Sequence, residues 1–79
     1  MIIRTQNKKG IVNFNAVDTI CVDNNVPVIK YYCGDETTAG TLGTYSTEEK
    51  AIEVLDRICD FYFRCDGIFE MPQDSEVKG

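Results

Sequence analysis

Residues 46–65 read STEEKAIEVLDRICDFYFRC, and along them apolar residues recur with the period of a helix. Ser46-Thr47-Glu48-Glu49 matches a capping box, in which the Ser46 hydroxyl and the Glu49 carboxylate each accept a backbone N–H. Spaced about 100° apart, the apolar residues fall on one side of this helix, over an arc of about 200°. They are Ala51, Ile52, Val54, Leu55, Ile58, Cys59 and Tyr62, with Phe61 and Phe63 at the two margins. The stretch predicts an amphipathic helix from Glu48 to Cys65.

The sequence before this helix has the composition of strands. Ile and Val together number 15, against two Leu, and β-branched residues favour pleated sheets. Turn-forming residues divide this part into short runs. The runs are Met1–Thr5, Ile11–Phe14, Thr19–Val22, Val28–Cys33 and Thr41–Tyr45. We therefore predict an α+β fold in residues 1–71, an antiparallel β-meander of four to five strands packed by one C-terminal amphipathic helix.

The residues after the helix add one short element in this interpretation. Asp66-Gly67 is typical of a helix C-cap, and residues 68–71 predict an extended segment at the sheet edge. Residues 72–79 are polar, so we expect a mobile tail outside the single domain.

Composition excludes several catalytic chemistries. The chain has 79 residues and a net charge of −5. Because it contains no His, an imidazole base and a mixed Cys and His zinc site are excluded. No motif names a reaction, and we expect no enzyme, no catalytic or metal-binding residue and no cofactor. The first residues turn polar at once and no apolar run is long enough to span a bilayer. We therefore expect a cytoplasmic protein without membrane contact.

The four cysteines, Cys21, Cys33, Cys59 and Cys65, contain no CxxC pair. In a reducing compartment we expect them to be thiols that pack as small apolar groups. One structural disulfide and a four-thiolate zinc site are the alternatives.

Self-association is expected because a core of this size supplies only about 3–5 kcal/mol. Strand alternation gives the outer face of the sheet several apolar residues, and the wide apolar arc of the helix needs a further cover. The predicted assembly is a homo-oligomer, with a dimer as first choice. Its predicted interface consists of Ile11, Cys21, Val28, Tyr32, Phe61 and Phe63. Alternatively, Phe61 and Phe63 meet Ile68 and Phe69 within one chain.

A row of carboxylates follows the other side of the helix. Glu49, Glu53, Asp56 and Asp60 have neighbour spacings comparable to phosphates along a nucleic acid strand. One hypothesis is an acidic inhibitor that presents this acidic stripe to a host defence or nucleic-acid-processing enzyme. The alternative is a solvated face with the ion pairs Glu53–Arg57 and Asp60–Arg64. Basic residues are too few for direct nucleic acid binding.

The segment 34–41 predicts a long loop between two strands. A third hypothesis places a nucleotide at an oligomer interface beside this loop. Tyr31 or Tyr32 would line the site, with Arg4 or Lys30 as the anion partner. A mobile hairpin tip is the alternative.

Three motifs carry a resemblance: VNFNAVDTI at 12–20, LGTYSTEEKA at 42–51 and FEMP at 69–72. With them, residues 1–72 resemble small uncharacterised intracellular proteins of Gram-positive bacteria and their phages. The resemblance implies a phage or mobile-element context and no particular activity. The favoured hypothesis is a non-catalytic interaction protein that self-associates and binds a protein partner.

Overall fold

The structure, a computed structural model, describes residues 1–34, 38–64 and 67–78 of the chain. These residues form six strands, one α-helix and two 3₁₀ helices. In chain order the elements are β1 (Ile2–Arg4), β2 (Ile11–Asn13), a first 3₁₀ helix (Phe14–Ala16), β3 (Thr19–Val22), β4 (Val28–Cys33), β5 (Thr38–Thr44), α1 (Glu48–Arg64), β6 (Ile68–Glu70) and a second 3₁₀ helix (Asp74–Glu76).

The α+β class is confirmed, whereas the arrangement of the strands differs from the prediction. The described strands form two three-stranded sheets: sheet A in the order β2-β1-β6 and sheet B in the order β3-β4-β5. In sheet A, β1 is antiparallel to β2 and parallel to β6, whereas sheet B is antiparallel throughout. The prediction of a single meander of four to five strands is therefore wrong.

The two sheets separate at the turn that follows β2. The side-chain oxygen of Asn13 accepts a hydrogen bond from the N–H of Asn15 at 3.0 Å, which starts the first 3₁₀ helix. Such a bond competes with continued strand pairing. As a result β3 starts a second sheet instead of pairing with β2. The other side of β1 then accepts β6, at register positions that include Ile3 opposite Phe69.

Gln6 joins sheet A to sheet B. Its backbone N–H donates to the carbonyl of Leu42 at 2.9 Å. Its side-chain amide exchanges two hydrogen bonds, both 2.9 Å, with the backbone N–H and carbonyl of Thr44. A primary amide offers both a donor and an acceptor, so this side chain pairs with β5 as a strand residue would. Gln6 thus occupies backbone hydrogen-bonding groups of β5 at Leu42 and Thr44.

The helix begins at Glu48, as the sequence predicts, but its N-cap is one residue later than the predicted Ser46. The Thr47 hydroxyl, rather than that of Ser46, accepts the hydrogen bond of the third helical residue, Lys50, at 3.2 Å. The Ser46 N–H instead donates to the Asp74 carboxylate at 2.7 Å. Thr47 is therefore the N-cap, and a carboxylate from the far end of the chain lies at the helix N-terminus, where it is favourable. The predicted helix end at Cys65 and the C-cap at Asp66 lie outside the described residues.

The core contains residues from both sheets, the helix and the C-terminal segment. Its buried side chains are Ile3, Ile29, Leu42, Tyr45, Ala51, Val54, Ile58, Phe69, Met71 and Val77. Val12, Phe14, Ile20 and Val22 pack against this core, as strand alternation predicts. The buried face of the helix is narrower than the predicted arc, because Ile52, Cys59 and Tyr62 are exposed and Leu55 is only half-buried.

The C-terminal segment packs against the domain instead of leaving it at residue 71. Val77 is 2% exposed, and the Gln73 side-chain amide donates to the Gln6 carbonyl at 2.8 Å. The Tyr45 hydroxyl donates to the Pro72 carbonyl at 2.8 Å, and burial raises the pKa of Tyr45 to about 12. The predicted boundary between a domain at 1–71 and a tail at 72–79 is thus displaced, since the described part of the tail, 72–78, belongs to the packed domain.

Candidate interaction surfaces

The acidic stripe predicted on the helix is partly neutralised. Glu53 accepts from the Arg57 guanidinium at 2.6 Å, and Asp60 accepts from that of Arg64 at 2.8 Å. These are the two ion pairs that the solvated-face alternative predicts. Glu49 and Asp56 are exposed and make no ion pair in the described part of the chain. The helix therefore carries two unpaired carboxylates on this side. The negative charge that it presents is smaller than that of a continuous row of four unpaired carboxylates.

The six residues predicted to form an oligomer interface lie in three separate places. Ile11 lies on the outer face of sheet A and is 68% exposed. Cys21, Val28 and Tyr32 lie on the outer face of sheet B, where all three are half-buried. Phe61 packs edge-on against Phe69 with ring centroids 5.4 Å apart, so this margin of the helix is covered within the chain. Phe63, at the other margin, is 91% exposed. No one face contains all six.

The outer face of sheet A carries one exposed isoleucine on each of its three strands, together with the polar residues Arg4, Asn13 and Glu70. Ile2 on β1, Ile11 on β2 and Ile68 on β6 are 37%, 68% and 62% exposed, whereas the opposite face is buried through Ile3 and Phe69. We call these three exposed residues, together with Arg4 and Glu70 between them, the isoleucine face. A depression of about 390 Å³ lies on it, next to the β1–β2 turn.

Two opposite charges stand on the isoleucine face without pairing. Arg4 and Glu70 are register partners on β1 and β6, so both side chains leave the sheet on the same side. Neither makes an ion pair among the described residues, and Arg4 donates instead to the Lys8 carbonyl at 3.4 Å. Lys8 and Lys9 also line the depression and make no ion pair among the described residues, so three cations and one anion surround it beside the isoleucines.

Sequence reasoning found Ile11 on this face and missed Ile2 and Ile68. Ile2 and Ile3 are adjacent and equally apolar, so the sequence does not reveal which of them faces the core. The alternation Ile68, Phe69, Glu70 was a usable signal, because a residue flanking a buried Phe in a strand must face the other way.

A second open surface runs between the helix and strand β3. This groove, of about 270 Å³, is lined by Phe14, Val17, Asp18, Thr19, Ile20, Leu55, Ile58, Cys59 and Tyr62, and we call it the β3 groove. Phe14 and Tyr62 close one end, with ring centroids 4.9 Å apart. Cys59 is an exposed free thiol in its wall, and Cys21 and Cys33 are also free.

The residues proposed for a nucleotide site are not assembled in one chain. Tyr31 packs against the core, and Arg4 belongs to sheet A whereas Tyr32 belongs to sheet B. Lys30 is bound to Asp23 at 2.9 Å, and this contact raises the pKa of Lys30. The pKa of Asp23 is lowered, mainly by the N–H of Asn25 and then by Lys30. The ammonium group of Lys30 is thus already neutralised.

The predicted long loop at 34–41 is shorter in the structure. Strand β5 begins at Thr38, three residues before its predicted start at Thr41, and it pairs with β4 from there. Residues 35–37 of the predicted loop lie outside the described residues.

Within residues 1–34, 38–64 and 67–78, no helix combines the length and the apolar character that crossing a membrane requires. The same residues contain no group of three or more His, Cys, Asp or Glu side chains placed to hold a metal ion. Comparison of the chain with protein-family models, with curated proteins and with solved structures finds no match.

Proposed function

We propose that this chain is a non-catalytic interaction protein that forms a homodimer through the isoleucine face. The observation that carries the proposal is the exposure of Ile2, Ile11 and Ile68 on three adjacent strands of one sheet. Three exposed isoleucines on neighbouring strands form an apolar patch, and a contiguous apolar patch on a protein surface is typical of an interface.

The charges on the face favour a second copy of the chain as the partner. A twofold axis brings the same patch of both copies together, so a contact from one residue to another is repeated in reverse. Arg4 of one copy then meets Glu70 of the other copy, and Glu70 meets Arg4. These two contacts make the face complementary to itself at Arg4 and Glu70, whereas Lys8 and Lys9 at the edge of the depression add positive charge that Glu70 alone does not balance.

The remaining parts of the proposal come from the sequence. We place the protein in the cytoplasm, in a phage or mobile-element context, with a protein partner in addition to its second copy. Neither the acidic-inhibitor nor the nucleotide hypothesis gains a supporting contact, because two carboxylates of the stripe and Lys30 are already paired.

Sedimentation velocity over a range of protein concentrations tests the dimer. The variants Arg4→Glu and Glu70→Arg each place like charges across the twofold axis, so each should weaken dimerisation by about tenfold or more. An equimolar mixture of the two variants should associate again. In the heterodimer, the new carboxylate at position 4 of one variant faces the new guanidinium at position 70 of the other. The unchanged Arg4 and Glu70 face each other at the second contact, so both contacts are attractive.

The mixture separates an intermolecular contact from one within the chain. If Arg4 and Glu70 interacted only within one copy, mixing two repelling variants would restore nothing. Lys78→Glu and Glu49→Arg, at exposed positions on other parts of the surface, are the matched charge controls and should dimerise as the wild type does. A wild-type monomer at all concentrations, or a mixture no stronger than its components, contradicts the proposal.

A further inference from the structure

We infer that the β3 groove binds an extended, basic segment of a partner protein, which adds to sheet B as a fourth strand beside β3. The inference does not rest on the proposed dimer, since the isoleucine face belongs to the other sheet. It rests on three observations: an open strand edge, an apolar groove next to that edge, and the sign of the charges around it.

Strand β3 is an edge strand. In the described part of the chain it pairs with β4 on one side and with no strand on the other. The N–H of Asp23 donates to the Val28 carbonyl, and backbone groups along an antiparallel strand alternate in direction. By this alternation Thr19 and Cys21 bond toward β4, whereas Ile20 and Val22 present their N–H and C=O groups to the open side. An added strand would pair with these groups, as in β-augmentation.

The side chains of such an added strand would meet an apolar wall. Alternate residues of a strand beside β3 face the helix, on the same side as Ile20 and Val22. There the helix presents Leu55, Cys59 and Tyr62, the part of its apolar arc that the core leaves uncovered. A second depression of about 140 Å³ lies at the other end of β3, where it is lined by Val22, Asp23, Asn24, Glu48 and Ile52. A segment of at least four residues, the length of β3, can therefore bury apolar side chains along it.

The charges along the groove are acidic. Asp18 lines the groove, Asp23 and Glu48 line the second depression, and no Lys or Arg lines either of them. Asp23 is bound to Lys30, whereas Asp18 and Glu48 make no ion pair among the described residues. The described basic residues of the helix are Lys50, Arg57 and Arg64, and each is bound to a carboxylate that is not in the groove.

These charges identify the occupant. A segment whose helix-facing residues are apolar beside Ile20 and Val22, with Lys or Arg at the two ends beside Asp18 and Glu48, matches both the wall and the rim of the groove. A second copy of this chain fits less well, because two identical acidic rims would repel one another across β3. The partner is therefore a basic, extended peptide segment.

A selection of displayed ten-residue random peptides against the full chain tests the inference. We expect the selected peptides to carry Val, Ile or other apolar residues at alternate positions, with an excess of Lys and Arg at the two ends of that apolar stretch. Their affinity should fall by about tenfold or more for Asp18→Arg and change by less than about twofold for Asp56→Arg. The control Asp56→Arg makes the same charge change at an exposed helical position outside the groove.

Backbone methylation of a selected peptide tests strand addition itself. N-methyl groups on the peptide edge that faces β3 should abolish binding, whereas methyl groups on the opposite edge should be tolerated. Amide hydrogen exchange at Ile20 and Val22 should slow in the complex. Failure to select peptides, selection without excess basic residues, equal loss with the two Arg variants, or equal loss with the two methylation patterns would each overturn the inference.

Discussion

Val77 provides the sharpest test of the fold, because it decides whether the C-terminal segment is a tail or part of the core. The side chain is 2% exposed and belongs to the same cluster as Ile3, Val54 and Met71. The substitution Val77→Ala removes two buried methyl groups. At about 0.8 kcal/mol for each buried carbon, the transfer free energy lost is about 1.6 kcal/mol.

The cavity left behind raises this cost, so we expect Val77→Ala to lower the free energy of unfolding by about 2 kcal/mol. In a domain of this length, about 1 kcal/mol shifts the melting temperature by about 4–8 °C, and the expected decrease is therefore about 8–16 °C. Urea and thermal unfolding followed by far-ultraviolet circular dichroism measure both quantities. All variants are compared at one protein concentration, since dimerisation makes the melting temperature depend on it.

Val26→Ala is the matched control, because it removes the same two methyl groups from a side chain that is 49% exposed. Its effect should stay within about 0.5 kcal/mol. Removal of residues 72–79 should cost more than Val77→Ala alone, because it also removes the bonds from Gln73 to Gln6 and from Ser46 to Asp74. If Val77→Ala and Val26→Ala had equal effects, the packing of the segment described above would be refuted.

Two pH-dependent predictions concern the same segment. The N–H of Ser46, then its side chain and then Lys50 hold the pKa of Asp74 below its ordinary value, against the effect of desolvation. The folded state therefore binds fewer protons there, and its stability falls as the pH drops through about 4 and below. Asp74→Asn should therefore be less stable than the wild type at pH 7, and urea titrations should show the difference shrinking toward pH 2; a constant difference would exclude Asp74 as its source. The pKa of Tyr45 is raised to about 12, whereas an unfolded Tyr ionises near pH 10, so its contribution is fully present below pH 10 and is lost as the pH rises toward 12. Tyr45→Phe loses the hydrogen bond to Pro72, should be less stable by about 1 kcal/mol at pH 7, and should decline less between pH 10 and 12 than the wild type; an identical alkaline decline in both proteins would contradict the assignment.

Local periodicity explains which parts of the fold could be predicted. The helix and most strand positions follow from spacings of two and about 3.6 residues, which involve only near neighbours in the sequence. The inward positions of Val12, Ile20 and Val22 follow in the same way. The pairing of Ile68–Glu70 with β1 joins opposite ends of the chain and leaves no local signal, so the second sheet could not be foreseen.

The packing of the C-terminal segment could not be predicted, for a related reason. One apolar residue, Val77, among polar neighbours has no periodicity to mark it as buried. The bonds that hold the segment run from Asp74 to Ser46 and Lys50, and from Gln73 to Gln6, and each partner is an ordinary surface type. Polar composition predicts exposure in general, and here hydrogen bonds over a long sequence separation override it.

The apolar arc on the helix is wide because its two margins have different roles. Phe61 is covered by Phe69 of sheet A, so this margin completes the core. The other margin, with Cys59, Tyr62 and Phe63, extends past the edge strand β3 and is exposed. A single helix of 17 residues covers parts of two small sheets, and its apolar surface continues where sheet B ends. An added strand at this edge would therefore extend an existing layer of the core, which is why the β3 groove, rather than the acidic stripe of the helix, is the site to which we assign a peptide partner.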